Sequence, residues 1–234
     1  MRKVLIFLHM YEEHSGHIQD FLGSQGVPFE LVQIEEGHPV PTDIPDDVAG
    51  LVFMGGTMSV NDDAVLPWIN QEVSLIEKAF AQDVPVLGHC LGGQLMSKML
   101  GAQVTKNPIE EIGWHNVRKD NNPKANEWLA GLPDEFIMFH WHNERFNLPD
   151  GATRILTNHH CENQGYVIGN NLALQCHPEM TVPLTRNWVQ WWHTDATPSR
   201  QTADEIVHDL DNKVVQMNTV ADAMYSRWVK GLKL

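Results

Sequence analysis

An apolar run, Val84-Pro85-Val86-Leu87, leads into Gly88-His89-Cys90-Leu91-Gly92-Gly93-Gln94, where the pattern changes from strand-like to helical. A cysteine framed as Gly-x-Cys-x-Gly at such a junction is the sulfur counterpart of the nucleophile elbow, a sharp turn that holds the reactive atom in a strained backbone conformation. Glycines flank it because side chains there would collide with neighbouring chain. The turn also sets Cys90 at a helix N-terminus, where the dipole and free amides favour a thiolate. A thiolate nucleophile needs a proton partner that is itself held by a third group. Far downstream, the strand pattern Leu172-Ala173-Leu174-Gln175-Cys176 ends in His177-Pro178-Glu179. Glu179 is within reach of the imidazole, and Pro178 stiffens the link. Such a set could attack an acyl carbon and move the proton that the attack requires.

The elbow Gly-x-Cys-x-Gly-x-Gln followed by His-Pro-Glu resembles the class I glutamine amidotransferases, a family with a Cys-His-Glu glutaminase site. A third motif agrees: Leu51-Val52-Phe53-Met54-Gly55-Gly56-Thr57 resembles the family's strand ending in a glycine pair, whose backbone helps to form the oxyanion hole. The likeness covers residues 1–193. It implies that Cys90 is the nucleophile, His177 the general base and acid, and Glu179 its orienting partner. Gly56, with Gly55 beside it, and the Leu91 amide would stabilise the oxyanion, and Gln94 would help to hold the substrate. The segments Glu111-Ile112-Gly113-Trp114 and Phe139-His140-Trp141-His142-Asn143-Glu144-Arg145-Phe146 further resemble the branch related to the glutaminase part of GMP synthetase. That likeness implies His142 and Asn143 as pocket residues. Here the chain reads Trp-His-Asn-Glu, where relatives more often have His-Gly-Asp.

Three further residues depart from the family pattern, one of them Gly93, which replaces a larger residue beside the cysteine. His89 precedes the cysteine where an apolar residue is usual, and it is expected on the opposite face of the turn as a hydrogen-bonded core histidine. Cys176 takes a place often held by Phe. Next to His177 on a strand it should point the other way, as a small buried hydrophobe.

The resemblance implies hydrolysis of glutamine to glutamate and ammonia through a glutamyl thioester, with a separate synthetase as the partner that would use the ammonia. The alternatives are a stand-alone γ-glutamyl peptidase or hydrolase, and a non-catalytic regulatory module on the same fold. A related group of cysteine hydrolases and chaperones, that of the glyoxalases and intracellular proteases, puts an acid on an early strand, where Glu12 and Glu13 stand. The His177-Pro178-Glu179 segment argues against that assignment. No cofactor and no metal are expected. His159-His160-Cys161-Glu162 alternate between opposite faces and lack a second ligand pair, and the glycine-rich stretches lack a phosphate-loop lysine.

Composition narrows the partners. The chain has 234 residues, with 16 Lys and Arg against 30 Asp and Glu, a net charge of −14 with neutral histidines. Such a surface repels phosphate backbones and anionic lipid, so neither nucleic acid nor a membrane surface is an expected partner. Three cysteines, Cys90, Cys161 and Cys176, cannot make a disulfide framework, and a cytoplasmic location is expected. No apolar stretch approaches the ~20 residues of a membrane span.

These residues need a scaffold, and the first half of the chain supplies an α/β one. Strand patterns at 3–9, 29–34, 50–53 and 84–88 alternate with helical ones at 17–25, 68–81 and 91–100, which predicts a flavodoxin-like three-layer fold with a mostly parallel central sheet. Shorter runs at 103–106, 112–118, 136–140, 154–157, 165–168 and 172–176 predict an antiparallel addition, with a tight turn at Asn170-Asn171. Helices are expected at 124–129 and at 183–193, the latter carrying Trp188, Trp191 and Trp192. After Thr197-Pro198-Ser199, Thr202-Ala203-Asp204-Glu205 has the form of a capping box. The apolar positions Ile206, Leu210, Val214, Met217, Ala221, Met224 and Trp228 then predict one long amphipathic helix. Residues 194–234 thus form a C-terminal helical extension, its stripe docked on the parent domain or used as a homodimer or partner interface.

Overall fold

The computed structural model describes residues 2–10, 15–190 and 192–234. Glu12, Glu13 and Trp191 lie outside that set. Among the described residues, nine strands form one continuous sheet. Its parallel half is built from β1 (Lys3–Leu8), β2 (Phe29–Gln33), β3 (Val48–Phe53), β4 (Val86–His89) and β9 (Asn171–Leu174), in the order β2-β1-β3-β4-β9. The antiparallel half continues through β8 (Gly165–Ile168), β7 (Thr153–Thr157), β5 (Val104–Lys119) and β6 (Glu135–Phe146). Central strands such as β3 are buried at every position, as expected of a parallel sheet covered on both faces.

Alternation along the strands separates two apolar layers. Val4, Ile6, Leu8, Val52, Met54 and Leu87 point to one face, and Leu5, Phe7, Leu51, Phe53 and Val86 to the other. The first face is covered by α1 (His17–Ser24) and by the C-terminal helix α7 (Leu210–Val229), the second by α2 (Trp68–Ala81) and α3 (Leu91–Met99). The three-layer flavodoxin-like arrangement follows. Among the described residues, no helix is long and apolar enough to cross a membrane.

The helix expected at 183–193 ends at Val189 and the strand expected at 136–140 runs from Glu135 to Phe146; three further differences change how an element is built. The two short runs at 103–106 and 112–118 belong to one 16-residue strand, β5, because a bulge between Lys106 and Glu111 absorbs the polar residues while pairing with β6 continues. The β8–β9 turn is Gly169-Asn170 rather than Asn170-Asn171: Gly169 takes the positive φ, 57°, that the turn requires, and Asn171 already pairs with Ile168. The tail is two helices. The capping box forms at Thr202 and Glu205, but α6 (Ala203–Val207) stops, and Asp209 turns the chain at φ 53° before α7 begins. Asp tolerates this left-handed conformation better than most residues, and its carboxylate accepts from Asn212 Nδ2 at 2.6 Å. The break preserves the apolar spacing, so periodicity could not reveal it.

The apolar stripe of the tail is buried in the chain's own core. Leu210, Val214, Met217, Ala221, Met224 and Trp228 join the same cluster as Val4, Ile6 and Phe139. Two packing tests follow. Trp228→Ala removes a fully buried indole and should lower stability by roughly 3–5 kcal/mol, read by denaturant unfolding. At the β4–α3 turn, a Cβ on Gly92 would stand 2.0 Å from the Phe53 carbonyl oxygen. Backbone cannot yield as a side-chain tip can, so Gly92→Ala should give a protein that melts well below wild type or fails to accumulate in soluble form.

Candidate active site

Cys90 leaves β4 and opens α3 at φ 48°, a conformation that costs a non-glycine residue energy and is held here by its surroundings. The clamp consists of hydrogen bonds and close backbone contact. Cys90 N donates to Leu174 O at 2.8 Å and Gly92 N to Met54 O at 3.1 Å, tying the elbow to the ends of the strands on either side. Gly88 and Gly92 lie against each other so closely that a Cβ on Gly88 would be 2.4 Å from the Gly92 carbonyl carbon. Leu91 is the first residue of the helix, where amides have no intrahelical acceptor.

The loop after β9 brings His177 to the elbow. His177 N donates to Phe139 O at 2.8 Å, and the Trp188 ring stands edge-on to the imidazole with centroids 5.1 Å apart. His177 Nδ1 is 2.7 Å from Glu179 Oε1, with both side chains almost completely buried. Burial opposes a charge on His177, but the Glu179 carboxylate and Cys90 together outweigh it and raise the imidazole pKa well above its usual value. Burial also opposes charge on Glu179, yet His177 and then His89 hold the carboxyl below its usual range. The two groups therefore favour a charged pair.

A cavity of about 650 Å³ is lined by Cys90, His177, Gly56, Gln94, His142 and Asn143, together with Trp141 and Trp188. The structure thus gathers around one space six of the nine residues singled out by the motifs. Glu179 lies behind His177, Leu91 is buried under the elbow, and the Gly55 carbonyl accepts from His9 Nδ1 at 2.9 Å. A Cβ on Gly56 would stand 2.6 Å from Met58 Sδ and 2.7 Å from Leu91 Cδ2, so both side-chain ends would have to move aside.

Some contributors could not be read from the motifs. Gln175 Nε2 donates to Cys90 Sγ at 3.6 Å, and its Oε1 accepts from Gln94 Nε2 at 3.3 Å, so two amides brace the thiol. The only sequence signal for Gln175 is its place on the strand two residues before His177. Beneath the far wall, His142 Nε2 stands 3.0 Å from Glu111 Oε2. That carboxylate also accepts from Asn158 at 2.5 Å and from Gln164 at 2.6 Å. Burial opposes its charge, but His140 and His142 outweigh it and lower the Glu111 pKa.

Among the described residues, Glu111, His140 and His142 place ligand atoms within 4.8 Å of one another, a donor set of the kind that divalent transition metals accept. The motif that invited comparison with a metal site is dispersed instead. Glu162 pairs with Arg154 at 2.7 Å, the His160 ring packs on His115, and Cys161 is buried, its thiol pushed up to about 12 by burial. Cys176 follows the end of β9 and is buried in the core, where burial pushes its thiol well above the usual range.

Comparison with known proteins identifies the family. The family model "Glutamine amidotransferase class-I" matches residues 8–188. The glutamine amidotransferase-like protein YfeJ of Salmonella typhimurium is 28% identical over 80% of this chain and 80% of its own length. A glutamine-hydrolysing GMP synthase subunit from Thermoplasma volcanium is 29% identical over 76% of this chain and 87% of that protein. The 134 residues that align with Bacillus subtilis GMP synthase, at 32% identity, span only 24% of that longer enzyme. A crystal structure of a glutamine amidotransferase from Methylobacillus flagellatus superposes with a TM-score of 0.93 at 40% identity, covering 100% of this chain and 96% of that one. The chain belongs to the class I glutamine amidotransferase family.

Proposed function

We propose that this chain hydrolyses the side-chain amide of glutamine by covalent catalysis through Cys90, His177 and Glu179. The observation that carries the reading is that Cys90 and His177 line one cavity while a buried carboxylate holds the other imidazole nitrogen at 2.7 Å. The Cys90 thiolate adds to the amide carbon. The backbone amides of Gly56 and Leu91 donate to the developing oxyanion, a contribution of about 3 kcal/mol per donor in sites of this kind. The C–N bond breaks as His177 Nε2 gives its proton to the leaving nitrogen, releasing ammonia. Water then adds to the glutamyl thioester, His177 takes its proton, and glutamate leaves with the thiolate restored. Gln94, His142 and Asn143 hold the substrate.

In this reading residues 1–193 carry the reaction and 194–234 are a helical extension. The name of the Thermoplasma relative, one subunit of a synthase, favours a separate synthetase as the consumer of ammonia. The cavity favours a second reading as well. At about 650 Å³ it falls among pockets that take drug-sized ligands, so γ-glutamyl compounds larger than glutamine belong in the assay. A cytoplasmic setting, where cysteines stay reduced, is part of this reading.

Glutamine and γ-glutamyl dipeptides should be assayed with wild type and Cys90→Ala in parallel. Cys90→Ala should lose at least about 10³-fold in kcat, and equal rates for the two proteins would end the enzymatic reading. Turnover that requires added cell extract would favour a partner synthetase. The pH profile gives a second test. Because its pKa is raised, His177 keeps its proton as the pH rises through the ordinary imidazole value of about 6.5 and loses it only well above. The rate should therefore stay level through neutrality and decline on the alkaline side. A descending limb centred near the ordinary value would contradict a Glu179-supported imidazolium.

A further inference from the structure

Glu179 has two oxygens, and His177 uses one. The second, Oε2, faces His89, whose Nδ1 stands 3.4 Å away. On the far side of the His89 ring, Nε2 is 3.2 Å from the hydroxyl of Tyr225 in α7. His89, Glu179 and Tyr225 are all fully buried. Taking the triad reading above as its basis, we propose that His89, anchored by Tyr225, is a positioning residue that fixes the second oxygen of Glu179 and so orients His177 toward Cys90.

The chemistry of the two His89 nitrogens supports this. A neutral imidazole carries one proton. Were it on Nε2, the Nδ1 lone pair would face a carboxylate oxygen, and the two would repel. With the proton on Nδ1, the ring accepts from the Tyr225 hydroxyl and turns its N–H side to Glu179 Oε2, two buried atoms 3.4 Å apart that have no other hydrogen-bond partner. The pair is too poorly aligned for a hydrogen bond in this structure, and contacts of this kind tighten when substrate binds. Burial keeps His89 neutral, lowering its pKa to about 4 against the pull of Glu179, with His177 adding to the depression. Neutrality matters for the reaction. A second cation on Glu179 would compete with the imidazolium of His177, whereas a neutral donor steadies the carboxylate and leaves its charge for His177.

The fold delivers the group by alternation. His89 is the last residue of β4, on the face shared with Leu87, where α1 and α7 pack, while Cys90 turns into the cavity. Tyr225 is held by ring contacts with Phe21 at 5.5 Å and His17 at 6.3 Å. From α1, Gly16 meets the Glu179 main chain so closely that a Cβ would be 2.2 Å from its carbonyl oxygen, and His17 N donates to that oxygen at 2.8 Å. Among the described residues, the other titratable groups in this neighbourhood are Asp222 of α7, paired with His17 at 2.7 Å, Cys176, which senses both Glu179 and Cys90, and His140, which senses His177 from β6.

The test compares His89→Leu, which fills the volume without a donor, His89→Asn, which restores an N–H near the Nδ1 position, and Tyr225→Phe, which removes only the hydroxyl. Two readouts are needed: kcat and KM for glutamine, and the pH dependence of Cys90 alkylation by iodoacetamide, which needs no substrate. His89→Leu should lose about 10- to 100-fold in kcat, the scale of one hydrogen bond to a charged group, with KM changed less than about twofold. Its alkylation profile should move by about half a unit or more toward higher pH, because a looser Glu179 supports the thiolate–imidazolium pair less well. His89→Asn should recover most of both, and Tyr225→Phe should shift both in the same direction by less. A folded His89→Leu protein with the wild-type rate and profile overturns the proposal. So does a slower one whose profile is unmoved and which Asn does not rescue, since that is merely a packing defect. If His89→Leu does not fold, Tyr225→Phe decides, and an unchanged rate and profile reject the role. Undiminished glutamine hydrolysis by Cys90→Ala would remove the triad reading itself, and this proposal with it. Loss on Cys90→Ala with no effect at His89 removes only the latter.

Discussion

A fully buried carboxylate costs a fold several kcal/mol unless partners replace the water it has lost. Glu179 is such a group, and its partners come from every part of the architecture. His177 of its own loop takes one oxygen, His89 at the end of β4 faces the other, and the entry to α1 receives its main-chain carbonyl. Tyr225 then ties His89 to the C-terminal helix. One residue, through its carboxylate and its main-chain carbonyl, thus joins the ends of two parallel strands and two helices, and those elements meet where the elbow sets Cys90.

The far wall of the cavity follows a similar rule. Glu111 on β5 is also fully buried, and it is answered by His142 on β6 and by the Asn158 and Gln164 amides from the segment between β7 and β8. The antiparallel half of the sheet supplies this second charged support, as well as Trp141. The cavity lies between two buried carboxylates that are each paired with imidazole, at the ends of the parallel strands. Ligand sites at the carboxyl ends of parallel strands are the general expectation for α/β sheets. Here the antiparallel strands close the site on its open side.

The tail changes meaning once it is packed. As a sequence it is an amphipathic stripe that fits a docking surface or an interface equally well. As a structure it is a large part of one face of the core, with Met217, Met224 and Trp228 fully buried beneath the sheet. The break at Asp209 lets α6 pack near α5 (Val182–Val189) while α7 runs under β6 and against α1.

The elbow, the glycine pair and His177-Pro178-Glu179 were legible in sequence because each is a local solution to a local problem: a strained turn, a close backbone approach, and an imidazole with a nearby acid. The strand and helix alternation was legible because burial on one or two faces writes a period into the chain. His142 and Asn143 were legible only through family likeness. Three features lay beyond local pattern. The bulge that joins the two runs of β5 depends on pairing with β6. The left-handed Asp209 preserves the apolar spacing on both sides and so leaves no trace in it. The partners of the buried charges, Gln175, Glu111, His89 and Tyr225, are set by contacts between residues as far apart as 89 and 225. Desolvation and hydrogen bonding act through space, and only the folded chain determines which distant side chain must answer each buried charge.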